Sequence, residues 1–186
     1  MKFFCFLVIL ANLNSIFSLV WNGNFANFAL WPIKNSYLAE NRQVVSDPKG
    51  GNDKVLKVKY QAGSYSKGAQ KGGTGFFVYP FPNATIEHAV LEYDVLFPSD
   101  FDFVKGGKLP GMFGGRHDCN GGDMALDCFS ARFMFGPNGG GYGYIYVSKK
   151  ANHTKEFCDL TKAPNCAPDY GFYFEYFKIK LKNLLA

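Results

Sequence analysis

"FSARFMFGPNGGGYGYIYV", residues 129–147, is the stretch whose reading decides the fold class. In its first half Phe129, Ala131, Phe133 and Phe135 alternate with Ser130, Arg132 and Met134. In its second half Tyr144 and Tyr146 alternate with Gly143, Ile145 and Val147. Successive side chains of a strand point to opposite faces, so a period of two marks half-buried strands. The Gly, Pro and Asn between the halves read as the turn of a hairpin. Parity then sorts the side chains. Phe129, Ala131, Phe133 and Phe135 are expected to face a core with Gly143, Ile145 and Val147, while Ser130, Arg132, Tyr144 and Tyr146 share the other face. A register that sets Arg132 opposite Tyr144 also sets Ser130 opposite Tyr146. Directly opposed Cβ atoms lie ~5 Å apart, close enough for one cooperating cluster.

Outward from the hairpin the same period recurs. "KVLKVKY" (54–60) reads as a strand with one wet face, "FFVYPF" (76–81) as a short buried strand, and "HAVLEYDVLF" (88–97) as the clearest of the three. "WNGNFANFALWPIKNSY" (21–37) reads as an irregular aromatic strap or edge strand, and residues 98–123 as a long glycine-rich loop of the kind that carries function. No segment reads as a helix longer than a turn or two. Aromatic residues make up 18% of the chain and glycines number 21, which favours strands joined by glycine turns. The expected architecture is an all-β, jelly-roll-type sandwich, which offers one concave sheet face to a ligand. With 186 residues the chain suits one domain, expected to span 19–186.

The chain opens "MKFFCFLVILANLNSIFS", a lysine followed by an apolar run too short to cross a bilayer and then small polar residues. Residues 1–18 therefore read as an export leader cleaved near Ser18, and the product as secreted and extracellular. Cys5 falls inside the leader. The remaining Cys119, Cys128, Cys158 and Cys166 permit three pairings in an oxidising compartment. The local loops Cys119–Cys128 and Cys158–Cys166 are the expected ones. Their spacing lacks a CxxC, which weakens a zinc reading. Asn83 in "NAT" and Asn152 in "NHT" are glycosylation sequons. The formal charge of +5, one less without Lys2, fits an acidic partner, but scattered lysines do not make a nucleic-acid face. Neither nucleic acid nor membrane is an expected partner, and a monomer is expected.

With "KGGKLPGMFGG" at 105–115 and "CFSARFMFGPNGGGYGYIYV" at 128–147, the chain resembles polysaccharide lyase family 14, the alginate and glucuronan lyases, over roughly residues 85–172. The resemblance implies an active cleft built from Lys108, Ser130, Arg132, Tyr144 and Tyr146, all of the family's residue types. It departs at Gly136, where a bulky or basic residue is common, and at Tyr142, where an acidic one is frequent. Family members also continue past "PDYGFYF" with further strands, so the domain is expected to be shortened at its C-terminal end. His117, in "GRHDCNGGD", and Tyr142 are the further candidates for touching substrate.

The residue types suit β-elimination on a uronate polymer. Arg132 is always protonated and binds carboxylates in a planar fork, which suits neutralising the uronate. Lys108 assists it or serves as base. The tyrosines suit proton transfer, and Ser130 positions the substrate. The scheme needs no metal and no cofactor, and Asp94, Asp100, Asp102 and Asp123 lack a calcium-loop spacing. Singly these residues are ordinary: a Ser/Arg pair on a strand face is usually wet surface, and alternate tyrosines usually pack a sheet. Their combination carries the reading. The alternatives from other classes are a cleft that binds acidic carbohydrate without cutting it, and an inactive shortened lyase.

Overall fold

A computed structural model of the chain describes residues 2–12, 18–65, 68–120, 123–148, 165–167 and 171–178, with side chains between residues 20 and 148, Tyr142 excepted. Regular structure among them is all β apart from short 3-10 turns. The described residues fall into two compact units, one up to Phe101 and one from Asp102 onward.

In the first unit, β1 (Lys2–Asn12) runs antiparallel to β2 (Ser18–Asn22). The apolar run expected as an export leader forms β1. A 3-10 turn over Phe25–Leu30, capped by the Asn24 side chain accepting from Ala26 N–H at 2.8 Å, leads to β3 (Ile33–Tyr37). Next come β4 (Arg42–Ser46), β5 (Lys54–Val58), β6 (Gly75–Val78) and β7 (His88–Leu96). β7 and β5 also pair with β1, β4 pairs with β5, and β3 with β6, all antiparallel. On β7 the expected alternation is present, with Val90, Glu92 and Asp94 exposed and Leu91, Tyr93 and Val95 turned in. β5 departs from its expected single wet face, because Val55 is as buried as Leu56 and Val58. The aromatic strap packs on itself: Trp31 stacks on Phe25 at 4.9 Å between centroids and meets Trp21 edge-on at the same distance.

The second unit is a sheet in the order β11-β12-β10-β9-β8, antiparallel throughout. Its strands are β8 (Gly107–Gly115), β9 (Cys128–Phe135), β10 (Gly140–Tyr146), β11 (Asn165–Ala167) and β12 (Gly171–Lys178). The β9–β10 turn places Asn138 and Gly139 at positive φ, 60° and 75°, which these two residue types adopt most readily.

Two expectations need correction here. The stretch 98–123 is not one unbroken loop, since β8 occupies nine of its residues. Pro110 and the glycines argued against a strand, but Pro110 falls where the β8–β9 register shifts, on a strand at the edge of this sheet. Bulges and edges are where a sheet tolerates proline. The second correction concerns which face is buried. The parity holds, yet Phe129 and Phe133 are 46% and 42% exposed, while Ser130, Tyr144 and Tyr146 are buried. Of the four alternating apolar residues of β9 only Phe135 is buried, against Phe103 at 5.7 Å between centroids. The cause is the loop between β8 and β9. It brings Cys119 and Ala125 onto the tyrosines, with Cys128 and Met134 packed against them.

Asn83 lies exposed on a turn, as a sequon requires. Asn152 and Cys158 lie outside the described residues, and Cys166 stands on β11.

Candidate active site

The β9–β10 register pairs Arg132 with Tyr144 and Ser130 with Tyr146, as the alternation required. β8 brings Lys108 to the same face by a bulge. Lys108 pairs with Met134 and Gly111 with Arg132, so β8 takes three steps where β9 takes two. Without the additional residue a three-residue step would put Lys108 and Gly111 on opposite faces. The bulge at "LP" keeps both on the Arg132 side.

The five residues form one cluster. Two cations lie over the Tyr144 ring, with Lys108 Nζ 5.4 Å and Arg132 Cζ 5.3 Å from its centroid. Both distances are within cation–π range. The Tyr144 and Tyr146 hydroxyls are 2.7 Å apart, and the rings meet edge-on. Two buried hydroxyls thus satisfy each other. Behind them Ser130 Oγ donates to the Cys119 carbonyl at 2.9 Å and accepts from Arg132 Nη2 at 3.3 Å. Ser130 is buried and bonded to Arg132, which places its hydroxyl against the guanidinium.

Access is graded. Tyr146 is fully buried and Tyr144 is 6% exposed, whereas Arg132 is half-buried and Lys108 exposed by surface area. The ammonium of Lys108 is nevertheless surrounded by enough protein that desolvation, with the Arg132 charge second, lowers its pKa. A lowered pKa leaves more of the neutral amine at a given pH, which makes Lys108 easier to deprotonate than a surface lysine.

The fit around Arg132 is close. A Cβ at Gly111 would strike the Ala131 carbonyl oxygen and the Arg132 side chain at Cγ. Gly111→Ala is therefore expected to cost about 1–3 kcal/mol in denaturant unfolding and to shift Arg132. An unchanged unfolding curve would show that the strands have room to spare.

Of the further candidates, Tyr142 stands on β10 paired with Met134, the residue that also faces Lys108, while its side chain lies outside the described residues. His117 is exposed on the β8–β9 loop beside Asp118. The disulfide Cys119–Cys128 is present as expected, with Cα atoms 5.8 Å apart. Cys119, Asp123 and Cys128 converge like metal ligands, but both sulfurs are joined to each other and Asp123 is held by an arginine.

The model of the family described as Polysaccharide lyase 14 matches residues 48–182, which contain the whole cluster. The chain belongs to this family. No curated protein sequence matches it significantly. Two solved structures are similar. The marine PL-14 alginate lyase from Aplysia kurodai is 26% identical with a TM-score of 0.56, over 79% of this chain and 58% of that one. An alginate lyase from Chlorella virus is 22% identical with a TM-score of 0.51, over 88% and 64%. This family 14 chain thus spans under two thirds of the length of either. Its fold class is theirs, the β-sandwich of jelly-roll type.

Sequence reasoning missed Arg116. Its guanidinium binds Asp118 at 2.8 Å, Asp123 at 2.8 and 2.9 Å, and Asp127 at 3.0 and 3.1 Å. The hydrogen bond to Asp123 leads in raising the Arg116 pKa, and Arg116 in turn holds the Asp118 carboxyl below its usual value. A single arginine just before a cysteine-closed loop, with three aspartates in and beside that loop, was the available signal.

Proposed function

We propose that this chain is a secreted polysaccharide lyase that cleaves a uronate polymer, alginate or glucuronan, by β-elimination. One observation carries the reading: a tyrosine pair hydrogen-bonded at 2.7 Å, with two cations near the ring of its outer member. Elimination must remove the C5 proton of a uronate whose ionised carboxylate makes it scarcely acidic. Arg132 and Lys108 supply the positive charge that binds the carboxylate and stabilises the enolate-like intermediate. The same charges favour a phenolate at Tyr144, and the Tyr146 hydroxyl donates to it. Tyr144 takes the C5 proton, the C–H electrons form the C4–C5 double bond, and the C4–O4 bond breaks. O4 then receives the proton from Tyr144, so atoms and charge balance. Membership of the lyase family and the likeness to alginate lyases support this reading.

The test is ultraviolet absorbance of the unsaturated uronate end, followed on alginate and glucuronan separately. Growth of that band on either polymer is expected. Tight binding of both polymers with no band would make the cleft a carbohydrate-binding site instead.

Secretion makes a second prediction. Mass spectrometry of the exported protein without reduction is expected to find a chain beginning near Leu19, glycans on Asn83 and Asn152, and bridges Cys119–Cys128 and Cys158–Cys166. A retained Lys2–Asn12 segment or a crossed bridge would contradict it.

A further inference from the structure

We propose that Arg116 is a positioning residue for Arg132, acting through the β8–β9 loop and Ser130. The inference rests on the proposed role of Arg132 in binding the uronate. The path is short: the Cys119 carbonyl accepts from Ser130 Oγ, which accepts from Arg132 Nη2. The aim of the guanidinium thus depends on where the Cys119 carbonyl points.

The disulfide fixes the Cys119 sulfur beside Cys128, but a side-chain bond alone leaves the peptide plane of Cys119 free to turn. Ion pairs and hydrogen bonds fix that plane. Arg116, at the start of the loop, reaches Asp118 just before Cys119 and Asp123 and Asp127 on its far side. Asp123 gives both carboxylate oxygens to Arg116 and accepts from Ala125 N–H at 2.6 Å. The Asn120 side chain donates to the Asp118 carbonyl at 2.9 Å, which ties the backbone on either side of Cys119. A planar fork can serve three carboxylates at once, whereas an ammonium is a point charge. The loop is therefore closed twice, by a covalent bond and by an ionic clamp. The clamp, with the Asn120 bond, bears on the direction of the carbonyl to which Ser130 donates.

The experiment is a double-mutant cycle on the full chain, read as kcat and KM on a uronate oligomer, with thermal melting as control. Arg116→Ala is expected to lower kcat roughly tenfold to a hundredfold with KM within about twofold, since a small misplacement of a group that acts on the transition state costs that much. Arg116→Lys is not expected to restore it. In a Ser130→Ala background, where the path is already cut, Arg116→Ala should cost nothing more. Losses that multiply, or a folded Arg116→Ala with unchanged kcat, would overturn the clamp. If Arg116→Ala does not fold, Asp123→Asn takes its place in the cycle and the same outcomes decide. Arg132→Ala separates the two claims: full activity in that variant defeats the reading of Arg132 itself, while its loss beside an unaffected Arg116→Ala defeats the clamp alone.

Discussion

Arg132→Lys is expected to lower turnover on a uronate polymer by about a hundredfold or more, the scale of losing one donor to developing charge. The substitution keeps the positive charge, so the loss measures geometry. Lysine cannot present a planar fork, and its ammonium cannot both reach Ser130 Oγ and engage a carboxylate along two parallel bonds. Arg132 is half-buried, and lysine is no larger than the arginine it replaces. The fold is therefore expected to survive, with little change in thermal melting. Equal activity in a folded Arg132→Lys variant would remove the bidentate contact from the mechanism.

Tyr144→Phe is expected to be as severe, a fall of roughly a hundred- to ten-thousandfold, because it removes the group that carries the proton from C5 to O4. Tyr146→Phe takes away the donor to that group and is expected to act in the same direction with a smaller loss. Stability should order the two as well. Each change leaves a buried hydroxyl without this partner, at about 1–3 kcal/mol, and Tyr146 is the more deeply enclosed of the pair. Circular dichroism and thermal melting distinguish lost chemistry from lost fold. A Tyr144→Phe variant that still cleaves at the wild-type rate would pass the proton role to Lys108, whose lowered pKa equips it for that work.

What the sequence could and could not disclose follows from the range of each interaction. The Arg132–Tyr144 and Ser130–Tyr146 pairs were legible because strand parity is local and the turn between them is short. Lys108 was legible only through a family motif. Its own strand is disguised by Pro110 and four glycines, and the bulge that turns it toward Arg132 depends on the partner strand. Which face of β9 is buried was misread for a related reason. Polarity assigned Ser130 and the tyrosines to the surface, yet the cysteine-closed loop folds over them, and nothing in a period of two reports what a distant loop will cover. The Arg116 clamp joins residues 2, 7 and 11 apart with no regular period, so only their composition could have hinted at it.

The most direct test of the central claim is the fate of water during cleavage. Depolymerisation of alginate or glucuronan is run in water enriched in heavy oxygen, and the fragments are weighed by mass spectrometry. Elimination breaks the C4–O4 bond without adding water, so the account requires fragments whose masses sum to that of the parent and whose new chain ends carry no heavy oxygen from the cleavage. One heavy oxygen incorporated per cut, with no unsaturated end, would mean hydrolysis and would contradict the proton path from C5 through Tyr144 to O4.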